Sequence, residues 1–147
     1  MAKSVKFSDC LMDYNALVAD VKARRFAPIY LLAGDESFFI DSICDMLSNS
    51  ILNEAERAFN QITVYGKDSD AGQIVNLCRQ MPMMGAYEVI IIKEAQQLQQ
   101  IDKLSHYTSK PQPSTILIIC HKEKCIDKRS ALYKQCLKEG VVFESVR

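Results

Sequence analysis

The chain has 147 residues, 48% of them apolar, and 18 Lys+Arg balance 18 Asp+Glu. That is one domain's length with enough apolar residues for one core, and net neutrality argues against a domain that grips duplex DNA chiefly by neutralising phosphates. No apolar run nears the ~20 residues of a membrane helix, the N-terminus lacks a signal core, and six scattered cysteines suggest a reduced, soluble, cytoplasmic protein.

In chain order, Phe7, Leu11, Tyr14, Leu17, Val18 and Val21 recur at helical spacing, predicting a helix over 7–25 capped by Ser8 and ended by Pro28. Ile29-Tyr30-Leu31-Leu32-Ala33 is apolar on both faces, as a strand between two helical layers requires. A helix follows from Asp35 or Ser37, carrying Phe38, Ile40, Ile43, Met46 and Leu47. Residues 61–65 read as a strand. Ser69 or Asp70 caps a helix through Ile74, Val75, Leu77 and Cys78, which Met81-Pro82-Met83-Met84-Gly85 breaks. Val89-Ile90-Ile91-Ile92 is the clearest strand. Residues 94–107, with Ala95, Leu98, Ile101 and Leu104, predict an amphipathic helix. Residues 115–120 are a strand, Asp127 starts a helix ended by Gly140, and 141–143 form a last strand. Strands alternating with helices predict an α/β fold: a three-layer α-β-α sandwich of about five mainly parallel strands.

In nucleotide-binding proteins of this architecture, a G-x-x-x-x-G-K-[ST] loop follows the first strand. Here Gly34-Asp35-Glu36-Ser37-Phe38-Phe39-Ile40-Asp41-Ser42 has one glycine, no lysine and three carboxylates. Carboxylates at a helix N-terminus suit its dipole but repel phosphate. After Ile92, where a hydrolytic site places Asp-Glu for Mg²⁺, the sequence has Lys93-Glu94, with the wrong charge for a metal. Neither a catalytic residue nor a cofactor is expected, and Glu94 reads as a solvated helix-start residue. A zinc set of Cys120, His121, Cys125 and Cys136 is weaker than plain packing, because its spacing lacks the usual close pairs. Lys122, Lys124, Lys128, Arg129 and Lys134 make the last third basic, read first as a solvated helix face and second as a patch facing DNA or an acidic partner.

The order of these segments resembles one known family. Residues 26–40, FAPIYLLAGDESFFI, are similar to the opening of the delta subunit of the bacterial DNA polymerase III clamp loader. The segments 78–84, CRQMPMM, 89–95, VIIIKEA, 111–120 and 124–129 match its later stretches in order. The resemblance implies the N-terminal domain of delta, RecA/AAA+-like, a P-loop NTPase fold with a degenerate phosphate loop; the lid and C-terminal collar domains would lie beyond residue 147. It implies a non-catalytic subunit of a DNA-directed DNA polymerase (nucleotidyltransferase) holoenzyme. Such a subunit binds and helps open the sliding clamp, alongside delta-prime and the ATP-hydrolysing subunits, for loading onto primed DNA.

The family's clamp-contacting apolar pair falls on Met83 and Met84, next to Pro82, and the second position departs from the family's phenylalanine. The residues support the same place, since three methionines in a loop are either a folded-back plug or an exposed wedge. Of the three, Met81 is expected in the core. The alternatives are a small α/β NTPase or nucleotide-modifying enzyme with an atypical phosphate loop and, more weakly, a flavodoxin-like regulatory domain.

Overall fold

Each apolar run read as a strand is one in the computed structural model, which describes residues 6–83 and 85–147. Helix α1 (Phe7–Lys22) leads to β1 (Ile29–Gly34), α2 (Ser37–Ser50), α3 (Glu54–Asn60), β2 (Gln61–Tyr65) and α4 (Ala71–Arg79). Then come β3 (Glu88–Lys93), two 3-10 turns, α5 (Ser105–Thr108), β4 (Thr115–Lys122), α6 (Ala131–Glu139) and β5 (Val141–Ser145).

The sheet order is β2-β3-β4-β1-β5, every pair parallel. All strand starts therefore share one edge of the sheet and all strand ends the other. Side chains alternate between two cores. Tyr30, Leu32, Val89, Ile91, Ile116, Ile118 and Phe143 pack with α1 and α2. Ile29, Leu31, Ala33, Ile90, Ile92, Leu117 and Ile119 pack with α4, α5 and α6. This is the expected three-layer sandwich, and no helix among the described residues is long and apolar enough to cross a membrane.

Several local expectations fail, each for a physical reason. Helix α1 ends at Lys22, and its N-cap is Lys6 without a side-chain bond, so Ser8 lies inside the helix. Helix α2 does start at Ser37 as expected, with Glu36 as its cap, the carboxylate accepting from the Phe38 amide at 3.0 Å. The stretch 94–107 is no continuous helix. It forms 3-10 turns at Ala95–Gln97 and Ile101–Leu104 and the single turn α5, with Glu94 and Gln100 at positive φ. Its apolar residues Ala95, Leu98, Ile101, Leu104 and Tyr107 fall every third position, which matches three residues per turn rather than 3.6.

Ser130, not Asp127, caps α6: its hydroxyl accepts from the Tyr133 amide, while the Asp127 carbonyl and carboxylate organise the preceding turn. Gly140 does end α6, but in extended backbone rather than the left-handed form. Glycine is needed there because any side chain would run into the Ile29 carbonyl and Cβ. The sequence reading also missed α3. Its signal is a capping box, with Asn53 accepting from the Glu56 amide at 2.8 Å and Glu56 accepting from the Asn53 amide at 3.1 Å.

Candidate partner-binding loop and the strand-end edge

The two regions singled out in the sequence sit at opposite edges of the sheet. At the strand-end edge, where ligands of open α/β sheets bind, Lys122 from β4 reaches Asp41 on α2 at 2.9 Å and Glu94 after β3 at 3.4 Å. The Asp41 carboxylate, with Glu94 adding to it, holds the Lys122 ammonium above its ordinary pKa. Gln96 completes the set: its amide nitrogen donates to Glu94 at 3.0 Å, and its oxygen accepts from the Lys122 backbone amide at 3.0 Å. Glu94 does open the 3-10 turn Ala95–Gln97 and is 38% exposed, but it is not merely solvated. It sits at φ 53°, tied to two side chains.

The turn after β1 is stitched to β5. The Asp35 amide donates to the Ser145 carbonyl at 3.1 Å, and the Ser145 hydroxyl donates to the Glu36 carbonyl at 2.6 Å. An amide that a phosphate cradle would turn toward its ligand is therefore spent on β5.

The zinc set does not converge. Cys120 lies in the core under α1 and α2, Cys136 in the core on the other face of the sheet. His121 is buried, bonded through Nδ1 to the Lys124 carbonyl at 2.5 Å, and burial holds its pKa below the ordinary value. The basic residues of the last third are largely self-neutralised. Lys122 is paired as above, Lys128 meets Glu144 at 2.9 Å, and Arg129 meets Asp127 at 3.2 Å.

The methionine loop lies at the strand-start edge, between α4 and β3. Helix α4 is capped by Asp70, whose Oδ1 accepts from the amides of Gly72 and Gln73. Its last turn is braced by side chains from other elements. Thr115 Oγ1 donates to the Cys78 carbonyl at 2.8 Å, and Gln112 Nε2 donates to the Gln80 carbonyl at 3.1 Å. Arg79 donates to the Lys110 carbonyl at 2.8 Å, with its guanidinium 4.6 Å from the centre of the Tyr107 ring. On the return side, Asn60 Nδ2 donates to the Tyr87 carbonyl at 3.2 Å, and Phe26 meets the Tyr87 ring edge-on.

From this base the loop projects. Met83 is 80% exposed and Met81 70%, with Pro82 half-buried between them. Met84 lies outside the described residues. The expectation that Met81 is core is wrong: helix α4 stops at Arg79 and Gln80 turns extended, so the chain leaves the core before residue 81.

The match that decides the family is to the DNA polymerase III, delta subunit, over residues 30–146. The chain belongs to the DNA polymerase III delta subunit family. No curated protein matches it in sequence. Among solved structures, the Bacillus subtilis DNA clamp loader delta protein is similar at TM-score 0.78 and 19% identity, over 90% of this chain and 42% of that one. A DNA polymerase III gamma subunit-related protein from Thermotoga maritima gives TM-score 0.60 at 10% identity, over 89% of this chain and 46% of its own. Thermotoga maritima RuvB T158V gives 0.52 at 18% identity, over 96% and 45%. At these identities the likeness establishes the fold, the AAA+-like α/β sandwich, and this delta-family chain spans less than half the length of each of the three.

Beside the loop of this delta-family chain, Glu88 opens β3 and is 3% exposed. Burial pushes its carboxyl above the ordinary carboxylate pKa. A carboxyl with a raised folded-state pKa stabilises fully below its unfolded pKa, and that contribution is lost as pH rises through the folded value. Glu88 therefore costs stability once the pH is above the ordinary carboxylate range, compared with a neutral side chain there. Glu88→Gln is expected to raise the thermal midpoint at pH 7, and to give no gain below about pH 4. Thermal melts of both proteins across pH 3.5–7.5, read by circular dichroism, check this.

Proposed function

We propose that this chain is the clamp-binding part of a non-catalytic clamp-loader subunit, in which Met83 and Met84, set by Pro82, enter an apolar pocket on the sliding clamp and help hold the ring open for loading onto primed DNA. The observation that carries this is Met83, a large apolar side chain 80% exposed on a loop whose base is tied down from both sides. Exposed apolar side chains on a fixed loop are what partner recognition uses, and methionine adapts to an irregular pocket. In this reading delta-prime and the ATP-hydrolysing subunits are its neighbours, and primed DNA is reached through the assembled complex in the cytoplasm. The test is capture of the cognate sliding clamp by the full-length subunit and by this chain. The proposal fails if the full-length subunit does not retain the clamp.

The same reading assigns ATP hydrolysis to other subunits. Saturating Mg-ATP is expected to leave the thermal midpoint of this chain unchanged, because the ammonium of Lys122 is already matched by Asp41 and Glu94, and Asp35 and Glu36 would face the phosphates. A nucleotide present at 100 times its Kd would add about 2.7 kcal/mol and raise the midpoint by several degrees. Such a rise would favour the NTPase alternative.

A further inference from the structure

Strand β5 forms one rim of the sheet. It pairs with β1 from Val141 to Ser145, and among the described residues no strand pairs with its outer side. In a parallel strand the N–H and C=O of one residue point to the same neighbour, and successive residues alternate. The Ser145 carbonyl accepts from the Asp35 amide, on the β1 side. Ser145, Phe143 and Val141 therefore face β1, while Val142 and Glu144 turn both backbone groups outward. Such a row is a template for a further strand. Val141–Ser145 has no proline, lysine or bulge to blunt it, and its register runs unbroken over all five residues.

Beside this rim, between α1 and β5, lies a groove of about 240 Å³. Its floor is Leu17, Tyr30 and Phe143, all buried. Its α1 side carries two exposed carboxylates, Asp13 and Asp20. Arg25 also lines it, but its guanidinium donates twice to Asp20 Oδ1, at 2.9 and 3.1 Å, which leaves Asp20 Oδ2 without a hydrogen bond. The Asp13 carboxylate has no partner among the described residues. Helix α1 as a whole sets Asp9, Asp13 and Asp20 against one lysine, Lys22. The groove is smaller than the ~300–1,000 Å³ of small-molecule pockets. Lying along an open strand, it suits one face of a peptide chain better than a free metabolite.

We propose that the β5 rim and this groove are a docking site for an extended, basic peptide segment of a partner protein, which adds to the sheet as a further strand. The outward backbone groups of Val142 and Glu144 hold its main chain. Side chains on one face of the added strand enter the groove over Leu17 and Phe143, and their Lys or Arg ends reach Asp13 and Oδ2 of Asp20. Those carboxylates are two turns apart on one face of α1, roughly 10 Å. Alternate residues of a strand are roughly 7 Å apart, so two long basic side chains at alternate positions span both. Main-chain bonding gives such a site its affinity, and the side-chain groove gives it selectivity. An acidic segment would meet the two carboxylates and be repelled. Nothing in this depends on clamp binding.

The probe is the acetylated, amidated peptide Lys-Val-Lys-Val-Lys, titrated to ~1 mM into isotope-labelled protein and followed by NMR. The amides of Val142 and Glu144 are expected to shift and to exchange more slowly with water, while those of β2, at the other rim, do not change. Of two forms of the peptide N-methylated at alternate residues, one is expected to lose binding and the other to keep it, because only one set of amides faces β5. Asp13→Lys is expected to weaken the Lys peptide at least ~10-fold and to admit Glu-Val-Glu-Val-Glu, which the unsubstituted protein rejects. Asp13 is exposed, so this change leaves the core intact. The full-length subunit is expected to bind the same peptide carrying a fluorophore, read by anisotropy. The inference is overturned by unshifted amides at Val142 and Glu144, by shifts along β2 as well, or by equal behaviour of the two N-methylated forms. It is overturned too if Asp13→Lys leaves the preference for the Lys peptide unchanged, or if the full-length subunit does not bind because its own chain covers the rim.

Discussion

Met83→Ala is expected to weaken binding to the sliding clamp by ~30-fold, the equivalent of about 2 kcal/mol for a central apolar anchor, while the thermal midpoint stays within about 1 °C. The second half rests on exposure. A side chain 80% in solvent has little packing to lose, so truncation removes almost nothing from the folded state. The first half rests on what a pocket would gain by taking that surface from water, about 25 cal/mol per Å² of apolar area. Met83→Ala with Met84→Ala is expected to abolish binding at micromolar protein. Met12→Ala is the matched control: Met12 is 70% exposed on α1, and its loss should not change clamp binding. Surface plasmon resonance with immobilised clamp reads all three. Equal affinities for the Met83 and Met12 variants would remove the wedge from the proposed function.

Gly34→Ala carries the largest expected loss of stability, about 3 kcal/mol, or roughly 6–12 °C in thermal midpoint for a domain this size. Gly34 ends β1 at φ 130°, a backbone shape that L side chains rarely adopt. A methyl group there would also overlap the Ser145 carbonyl, the acceptor of the Asp35 amide and part of the β1–β5 ladder. Backbone cannot rotate out of the way as a side-chain tip can, so the substitution breaks either the turn or the edge strand. Differential scanning fluorimetry measures the drop. Unchanged stability would mean that the turn after β1 is held less firmly than its hydrogen bonds imply.

The three central strands, β1, β3 and β4, were legible because each is apolar on both faces, and only a sheet covered on two sides asks for that. The charge of the strand-end edge was legible, with three carboxylates and no lysine in the loop after β1 and Lys93 at the end of β3. Its internal pairing was not, because Lys122 and Gln96 lie 26 residues apart and meet only through parallel pairing of β3 and β4. The 94–107 segment was misread by treating spacing of three as spacing of 3.6. Met81 was misplaced because the residues bracing the end of α4, Thr115 and Gln112, come more than thirty positions later.

The opposition of the two edges has a mechanical meaning. Five hydrogen-bonded parallel strands, each about 20 Å long, form a plate that resists bending along its strands, and its strand-end rim is locked by Lys122, Asp41 and Glu94. Displacement imposed at that rim by a moving neighbour would reach the methionine tip with little loss to internal flexing.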